Sequence, residues 1–214
     1  AQKSLSENIL NLHYLHFCFD FIQKIRYYIS KNDQNNFSDF LHISQKRGLD
    51  MGYNGINLRN SISVSKIYSI HYFEYMSDFT FEGESHNFWE FICVDKGEVG
   101  VTGGKTFTVL KKGDVAFHQP NEFHNVKATG ETAPNLVVIS FKCEDEAMRF
   151  FKKRILRIDE TERNLLADII IEARRCFDCR LDDPYLQNMP QKDPDMFGAE
   201  QLIRLYLEHF LIHL

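Results

Sequence analysis

Three patterns of apolar and polar positions follow one another along the chain. Near the N-terminus, Ile9–Ile29 (ILNLHYLHFCFDFIQKIRYYI) is aromatic-rich and mostly apolar, but His13, His16, Asp20, Lys24 and Arg26 interrupt it. Charges that central are costly in lipid, so the stretch is expected to be a buried or partner-covered helix and not a membrane span. The polar run SKNDQNNFSDF reads as a loop or linker. Met51 opens MGYNGINLRNS and is a candidate natural start, with the residues before it an upstream extension. Residues 1–56 are therefore expected to form a helical and linker extension.

From 57 to 145 the grammar is that of short strands. SVSKIYSIHYFEY alternates and is rich in β-branched and aromatic residues. FWEFICVD runs to a turn at Lys96-Gly97, and EVGVT and KTFTVL are joined by Gly103-Gly104, a dipeptide suited to a tight hairpin. KKGD turns into VAFH, PNE breaks the chain before FHNVKA, and GETAP leads into NLVVISFKC. About seven strands without intervening helices predict an antiparallel sandwich or barrel. Alternation puts Glu90, Ile92 and Val94 on one face of their strand and Trp89, Phe91 and Cys93 on the other. If Glu90 points inward, Trp89 packs outward beneath whatever covers the barrel. Phe88, Phe117 and Phe123 also flank the polar positions, and most of these aromatics are expected in the core.

Past Cys143 the period becomes helical. Asp159-Glu160-Thr161-Glu162 has the form of a capping box, with Asp159 as N-cap and Glu162 reaching back. The helix it opens carries Leu165, Leu166, Ile169, Ile170 and Ala173 on one stripe. A polar loop with Pro184, Pro190 and Pro194 leads to a last helix, GAEQLIRLYLEHFLIHL, that is apolar on nearly every side. A single helix on a barrel cannot bury all of its faces, so Gln201–Leu214 is expected to be covered by a second copy across a two-fold axis. Leu202, Leu205, Tyr206, Leu207 and Phe210 are the expected interface residues. Residues 146–214 are thus read as a helical dimerisation segment.

Composition narrows the function classes. A chain of 214 residues with 43% hydrophobic and 26% charged residues is an ordinary globular protein, long enough for a sizeable core. A formal net charge of -5 argues against nucleic-acid binding by this chain alone. Its one basic cluster, Lys152-Lys153-Arg154, reads as a solvated helix start. Five cysteines without framework spacing and no visible secretory signal point to a reducing, cytoplasmic setting. Cys176 and Cys179 form a C-x-x-C with no second pair to complete a zinc set. They fall where a helix ends, not where one begins, and are read as structural.

The chemistry lies in GESHNFWEFICVDKG and GDVAFHQPNEFH. His86, three residues, Glu90, six residues and Gly97 match the core of the first cupin motif. Gly113, Pro120 and His124 resemble the second, with the proline displaced by one and Glu122 where glycine is usual. Glu84 stands where metal cupins usually have a histidine. The run from Ile67 to Cys143, with HNFWEF, GDVAFHQPNEFHNV and APNLVVISF, is similar to the sensor domain of AraC-type transcriptional regulators. The closing FGAEQLIRLYLEHFLI resembles the helix that precedes their DNA-binding part.

The resemblance implies a mainly β fold with α: a cupin-like antiparallel β-barrel, or double-stranded β-helix, followed by two C-terminal helices. It implies a small-molecule effector, such as a sugar or small aromatic acid, bound near His86, Glu90, His124, His118 and Glu84. It further implies a homodimer without enzymatic activity that reaches DNA only through a helix-turn-helix part lying beyond this chain, and no membrane partner. His86, Glu90 and His124 are also a chemically sufficient set for Zn²⁺, Ni²⁺, Mn²⁺ or Fe²⁺. A metal-dependent cupin enzyme of dioxygenase or isomerase type is the competing expectation.

Overall fold

The computed structural model describes residues 53–131, 133–194 and 196–214. The expected helix over Ile9–Ile29, the linker after it and the candidate start at Met51 lie outside the described residues. Residues 58–214 form one compact unit.

Among the described residues, nine strands make up two antiparallel sheets: β1 (Lys66–Glu74), β2 (Thr80–Glu84), β3 (Trp89–Lys96), β4 (Glu98–Gly103), β5 (Thr106–Lys111), β6 (Asp114–His118), β7 (His124–Ala128), β8 (Asn135–Lys142) and β9 (Ile155–Arg157). One sheet has the order β1-β8-β3-β6-β9 and the other β2-β7-β4-β5. The first eight strands pass back and forth between the sheets as in a jelly roll, the arrangement of a cupin-like barrel. Two helices follow, α1 (Glu160–Cys176) and α2 (Ala199–His213).

The five-stranded sheet is covered on both faces, which explains why β3 and β8 read as almost continuous apolar runs. Inside the barrel, Ile92, Val94, Val99, Leu110, Leu136 and Val138 pack together. On the outer face, Trp89, Phe91 and Cys93 join Ile169, Ile203 and Phe210 of the two helices. The alternation expected for β3 is therefore present. Phe91 stacks on Phe210 with ring centroids 5.0 Å apart.

α1 begins as expected. The Asp159 side chain accepts from the Thr161 amide at 2.6 Å, and Glu162 Oε2 accepts from the Asp159 amide at 2.7 Å. Its predicted stripe, Leu165, Leu166, Ile169, Ile170 and Ala173, is buried. Glu162 is itself buried, and its other oxygen meets His213 Nδ1 in the last turn of α2. One carboxylate thus serves the first turn of one helix and the last turn of the other.

Four expectations need correcting. Leu207 and Phe210 lie in the chain's own core with no accessible surface, so they cannot be interface residues. The outward stripe of α2 is Leu202, Leu205, Tyr206 and Ile212, which the helical repeat of about 3.6 residues per turn places on one face. Leu202 and Tyr206 are half-buried, whereas Leu205 is 48% and Ile212 61% exposed. The segment after 146 is not wholly helical, because β9 pairs antiparallel with β6 through Asp114↔Arg157, Val115↔Leu156 and Ala116↔Ile155. Lys152-Lys153-Arg154 is exposed but is no helix start: it forms the turn between a 3-10 segment at Glu146–Phe151 and β9, with Lys153 at φ 57°.

The fourth correction is at the hairpin. Gly103 pairs with Thr106 as the last residue of β4, so the turn is Gly104-Lys105, with Gly104 at φ 59°. Cys176 and Cys179 are both free thiols, and Cys176 ends α1. Among the described residues, no helix is long and apolar enough to cross a membrane.

Candidate functional site

One layer of the barrel interior is polar. Ser69, Ser140, Glu90 and His118 are directly paired neighbours across β1, β8, β3 and β6. In the facing sheet, Glu84 pairs with His124, and His124 with Gly103. Strand register alone therefore gathers these side chains, because every second residue faces inward and a paired row crosses each sheet at one depth. His86 enters from the connection between β2 and β3. Its carbonyl accepts from the Asn121 amide at 2.7 Å, and its ring stacks on Phe88 at 3.7 Å.

The β2 strand reaches this layer through a bulge. Its register with β7 shifts between Phe81 and Glu84, where Gly83 has φ 111°. A Cβ at Gly83 would lie 2.6 Å from the His124 carbonyl oxygen and 2.5 Å from the Phe123 ring. Only glycine permits this approach, and the bulge directs Glu84 towards His124.

Backbone partners fix the histidine tautomers. His86 Nδ1 lies 3.1 Å from the Phe88 carbonyl and His124 Nδ1 lies 2.9 Å from the Glu122 carbonyl. A carbonyl only accepts, so each Nδ1 carries a proton and donates. In the neutral rings the Nε2 atoms then present lone pairs to the interior, the second-sphere arrangement that prepares an imidazole to bind a cation or a donor. His124 Nε2 is 3.4 Å from Glu90 Oε1 and His86 Nε2 is 3.6 Å from Glu90 Oε2. These are ion-pair distances without hydrogen-bond geometry, and both buried Nε2 atoms lack a hydrogen-bond partner among the described residues. Glu90 is anchored from behind by Ser140 Oγ, which donates to its Oε2 at 2.6 Å; Ser69 Oγ donates in turn to Ser140 at 2.9 Å.

The electrostatics follow from this geometry. Burial alone would raise the Glu90 carboxyl, but His124 and His86, with Ser140, hold it below the ordinary carboxylate range. Burial works to lower His124, and the adjacent Glu90 outweighs it, leaving the imidazole raised. His118 is pushed down to about 4, first by burial and then by His124. Among the described residues neither ring nitrogen of His118 has a hydrogen-bond partner, and its ring stacks on His124 at 4.5 Å.

Glu84, His86, Glu90 and His124 each offer one ligand atom, all within 4.8 Å of one another. Two imidazole nitrogens and two carboxylates at this spread fit a divalent transition ion, and the unpartnered Nε2 atoms are the donors such an ion would use. The structure therefore brings together His86, Glu90, His124 and Glu84, with His118 beside them and outside the four-atom set. Of the flanking aromatics, Trp89, Phe91 and Phe117 are core, whereas Phe123 is 46% exposed. Ser140 and Ser69 escaped the sequence reading. The signal for Ser140 was available: in NLVVISFKC it is the polar member of the inward series Leu136, Val138, Ser140.

No family model and no curated protein matches the chain. Solved structures do resemble it. ToxT K231A from Vibrio cholerae is 8% identical over 69% of this chain and 55% of its own, with a TM-score of 0.43. The Cnp3 cupin domain of Schizosaccharomyces pombe is 17% identical over 43% of this chain and 69% of its own, with a TM-score of 0.34. A cupin superfamily protein from Desulfitobacterium hafniense is 14% identical over 41% of this chain and 84% of its own, with a TM-score of 0.32. This chain thus spans about half the length of ToxT, and identities this low say nothing of activity.

Proposed function

We propose that residues 58–214 are the effector-sensing half of an AraC-type regulator, with a small molecule bound in the polar layer of the barrel. The observation that carries this reading is the pair of His86 and His124 Nε2 atoms, buried, without a hydrogen-bond partner among the described residues, and facing the Glu90 oxygens at 3.6 and 3.4 Å. In the neutral rings these lone pairs face a carboxylate, acceptor against acceptor. A proton, a cation or a ligand donor has to come between them. A hydroxyl-bearing or protonated guest would supply that donor, while Glu90 and Ser140 orient it. Binding changes the charge balance of a layer to which β1, β3, β6 and β8 contribute Ser69, Glu90, His118 and Ser140, and these four strands belong to the sheet that carries α1 and α2 on its outer face.

The competing enzyme reading is favoured by one observation, the four ligand atoms within 4.8 Å. An ion held by Glu84, His86, Glu90 and His124 would act as a Lewis acid with positions left for a substrate. Protein purified without chelator separates the readings by metal analysis and native mass spectrometry. The sensor reading expects a non-covalent organic adduct, or thermal stabilisation by added small molecules, that Glu90→Gln removes. One equivalent of a redox metal, with turnover of a substrate, would replace it with the enzyme reading.

Dimerisation is part of the same proposal and is assigned to the outward stripe of α2. Leaving Leu205 and Ile212 in water forgoes roughly 1.5–3 kcal/mol for each side chain that could be buried. Leu205→Asp is expected to convert a dimer to a monomer in light scattering, and an unchanged dimer mass would place the interface elsewhere.

A further inference from the structure

An opening reaches the polar layer from the side. Between β5 and the β6–β9 side of the barrel lies a crevice of about 560 Å³. His118 forms part of its wall, 2% exposed, with both ring nitrogens unpartnered among the described residues. On its other side the same ring stacks on His124, so it separates the crevice from the His86, Glu90 and His124 cluster. Gly103 leaves this wall open: a Cβ there would sit 3.5 Å from His118 Nδ1.

The mouth is positive, although the chain as a whole carries a net charge of -5. Lys105, Lys153 and Arg154 line it against one carboxylate, Glu122. Glu122 is already engaged, accepting from the Gln119 amide at 3.2 Å. Arg154 is partly committed too, its guanidinium standing 4.2 Å above the Phe150 ring. Lys105 and Lys153 have no ion-pair partner among the described residues. Lys153 also holds φ 57°, and Asn121, at φ 65°, lines the same crevice. These are the only non-glycine residues at positive φ among the described residues, and such strain gathers where a surface is shaped for binding. Behind the mouth the walls are apolar, with Val101, Leu110, Ala116 and Phe117.

We propose that this crevice admits a small organic acid, its carboxylate held at the mouth by Lys105 and Lys153 and its polar or aromatic end against His118. The inference rests on the sensor reading and deepens it by naming the ligand class and the route of entry. A neutral imidazole offers one donor and one acceptor, enough to read a hydroxyl or carbonyl on the guest. The apolar walls select a carbon skeleton over a bare inorganic anion. A cavity of roughly 150 Å³ already holds benzene, so a substituted aromatic or short aliphatic acid fits here.

Calorimetry on the whole chain tests this with three probes: benzoate, benzamide and inorganic phosphate. Benzoate is expected to bind at least roughly tenfold more tightly than either of the others, a difference of one well-made charged contact. Lys105→Gln with Lys153→Gly is expected to erase the preference over benzamide. Both positions are exposed, and glycine relieves the backbone at Lys153, so folding is kept. His118→Gln is expected to weaken benzoate in the otherwise unchanged protein. Equal binding of benzoate and benzamide would overturn the acid assignment while leaving a small-molecule sensor standing. Phosphate binding as tightly as benzoate would overturn the organic part. No binding of any probe overturns the crevice as a ligand site, whereas the adduct sought with Glu90→Gln decides the sensor reading separately.

Discussion

Along β3 the inward face changes from Glu90 to Ile92 and Val94, and along β8 from Ser140 to Val138 and Leu136. β6 changes from His118 to Ala116 and β7 from His124 to Val126. The same strands therefore build two floors, one of charged and hydrogen-bonding groups and one of close-packed aliphatics. The apolar floor contributes stability through burial, roughly 25 cal/mol per Å² removed from water. The polar floor contributes little, since burying Glu90 among imidazoles at best offsets its desolvation. What it supplies is directional chemistry, held in place by a barrel made stable elsewhere.

This division can be broken at each floor. The largest effect is expected from Ile92→Ala. Ile92 is fully buried in the aliphatic floor, and the cavity should cost about 2–5 kcal/mol in denaturant unfolding while leaving ligand contacts one layer away intact. A loss below about 1 kcal/mol would show that the floor is loosely packed. Next is Gly83→Ala. The added Cβ meets the His124 carbonyl, so β2 must withdraw; ligand or metal affinity should fall at least roughly tenfold with a smaller loss of stability, about 1–2 kcal/mol. Unchanged affinity would mean that Glu84 and His124 do not depend on the bulge.

The smallest effect is expected at the boundary between the floors, at His71. Its Nδ1 bonds to the Asp183 carbonyl at 3.0 Å, and burial lowers its pKa despite the raising influence of Glu90 and Asp183. The unfolded chain therefore binds the proton first, so its contribution is complete above the ordinary histidine value of 6.5 and is lost as pH falls below it. The denaturant midpoint should drop between pH 7 and 5, and by less in His71→Gln. An equal drop in both would assign the acid sensitivity to other groups.

Much of the fold was legible because strand alternation and turn chemistry are local. The inward set of β3 and the capping box at Asp159 follow from spacing, and the convergence of His86, Glu90 and His124 from the resemblance of the two motifs to those of cupins. What escaped depends on partners remote in sequence. β9 is three residues long and becomes a strand only because β6 offers an edge. β2, TFEGE, is too polar and too bent at Gly83 to read as a strand. Ser69 and Ser140 read as strand formers, and only pairing with Glu90 gives them a role. In α2 apolar residues fall on nearly every side, so periodicity could not tell Leu207 and Phe210, which face the sheet, from Leu205, which does not.

The shared carboxylate of Glu162 has a mechanical consequence. Its two oxygens clasp the amide at the head of α1 and the imidazole at the tail of α2, and the head of α1 follows β9 by only two residues. A pull applied to the chain at His213 is thus delivered to the rim of the barrel across one side chain, without bending either helix. Parting the clasp would leave the buried Glu162 carboxylate without its imidazole partner, which makes the joint costly to open. The end of α2 is thereby coupled to the strand that borders β6, and through β6 to His118.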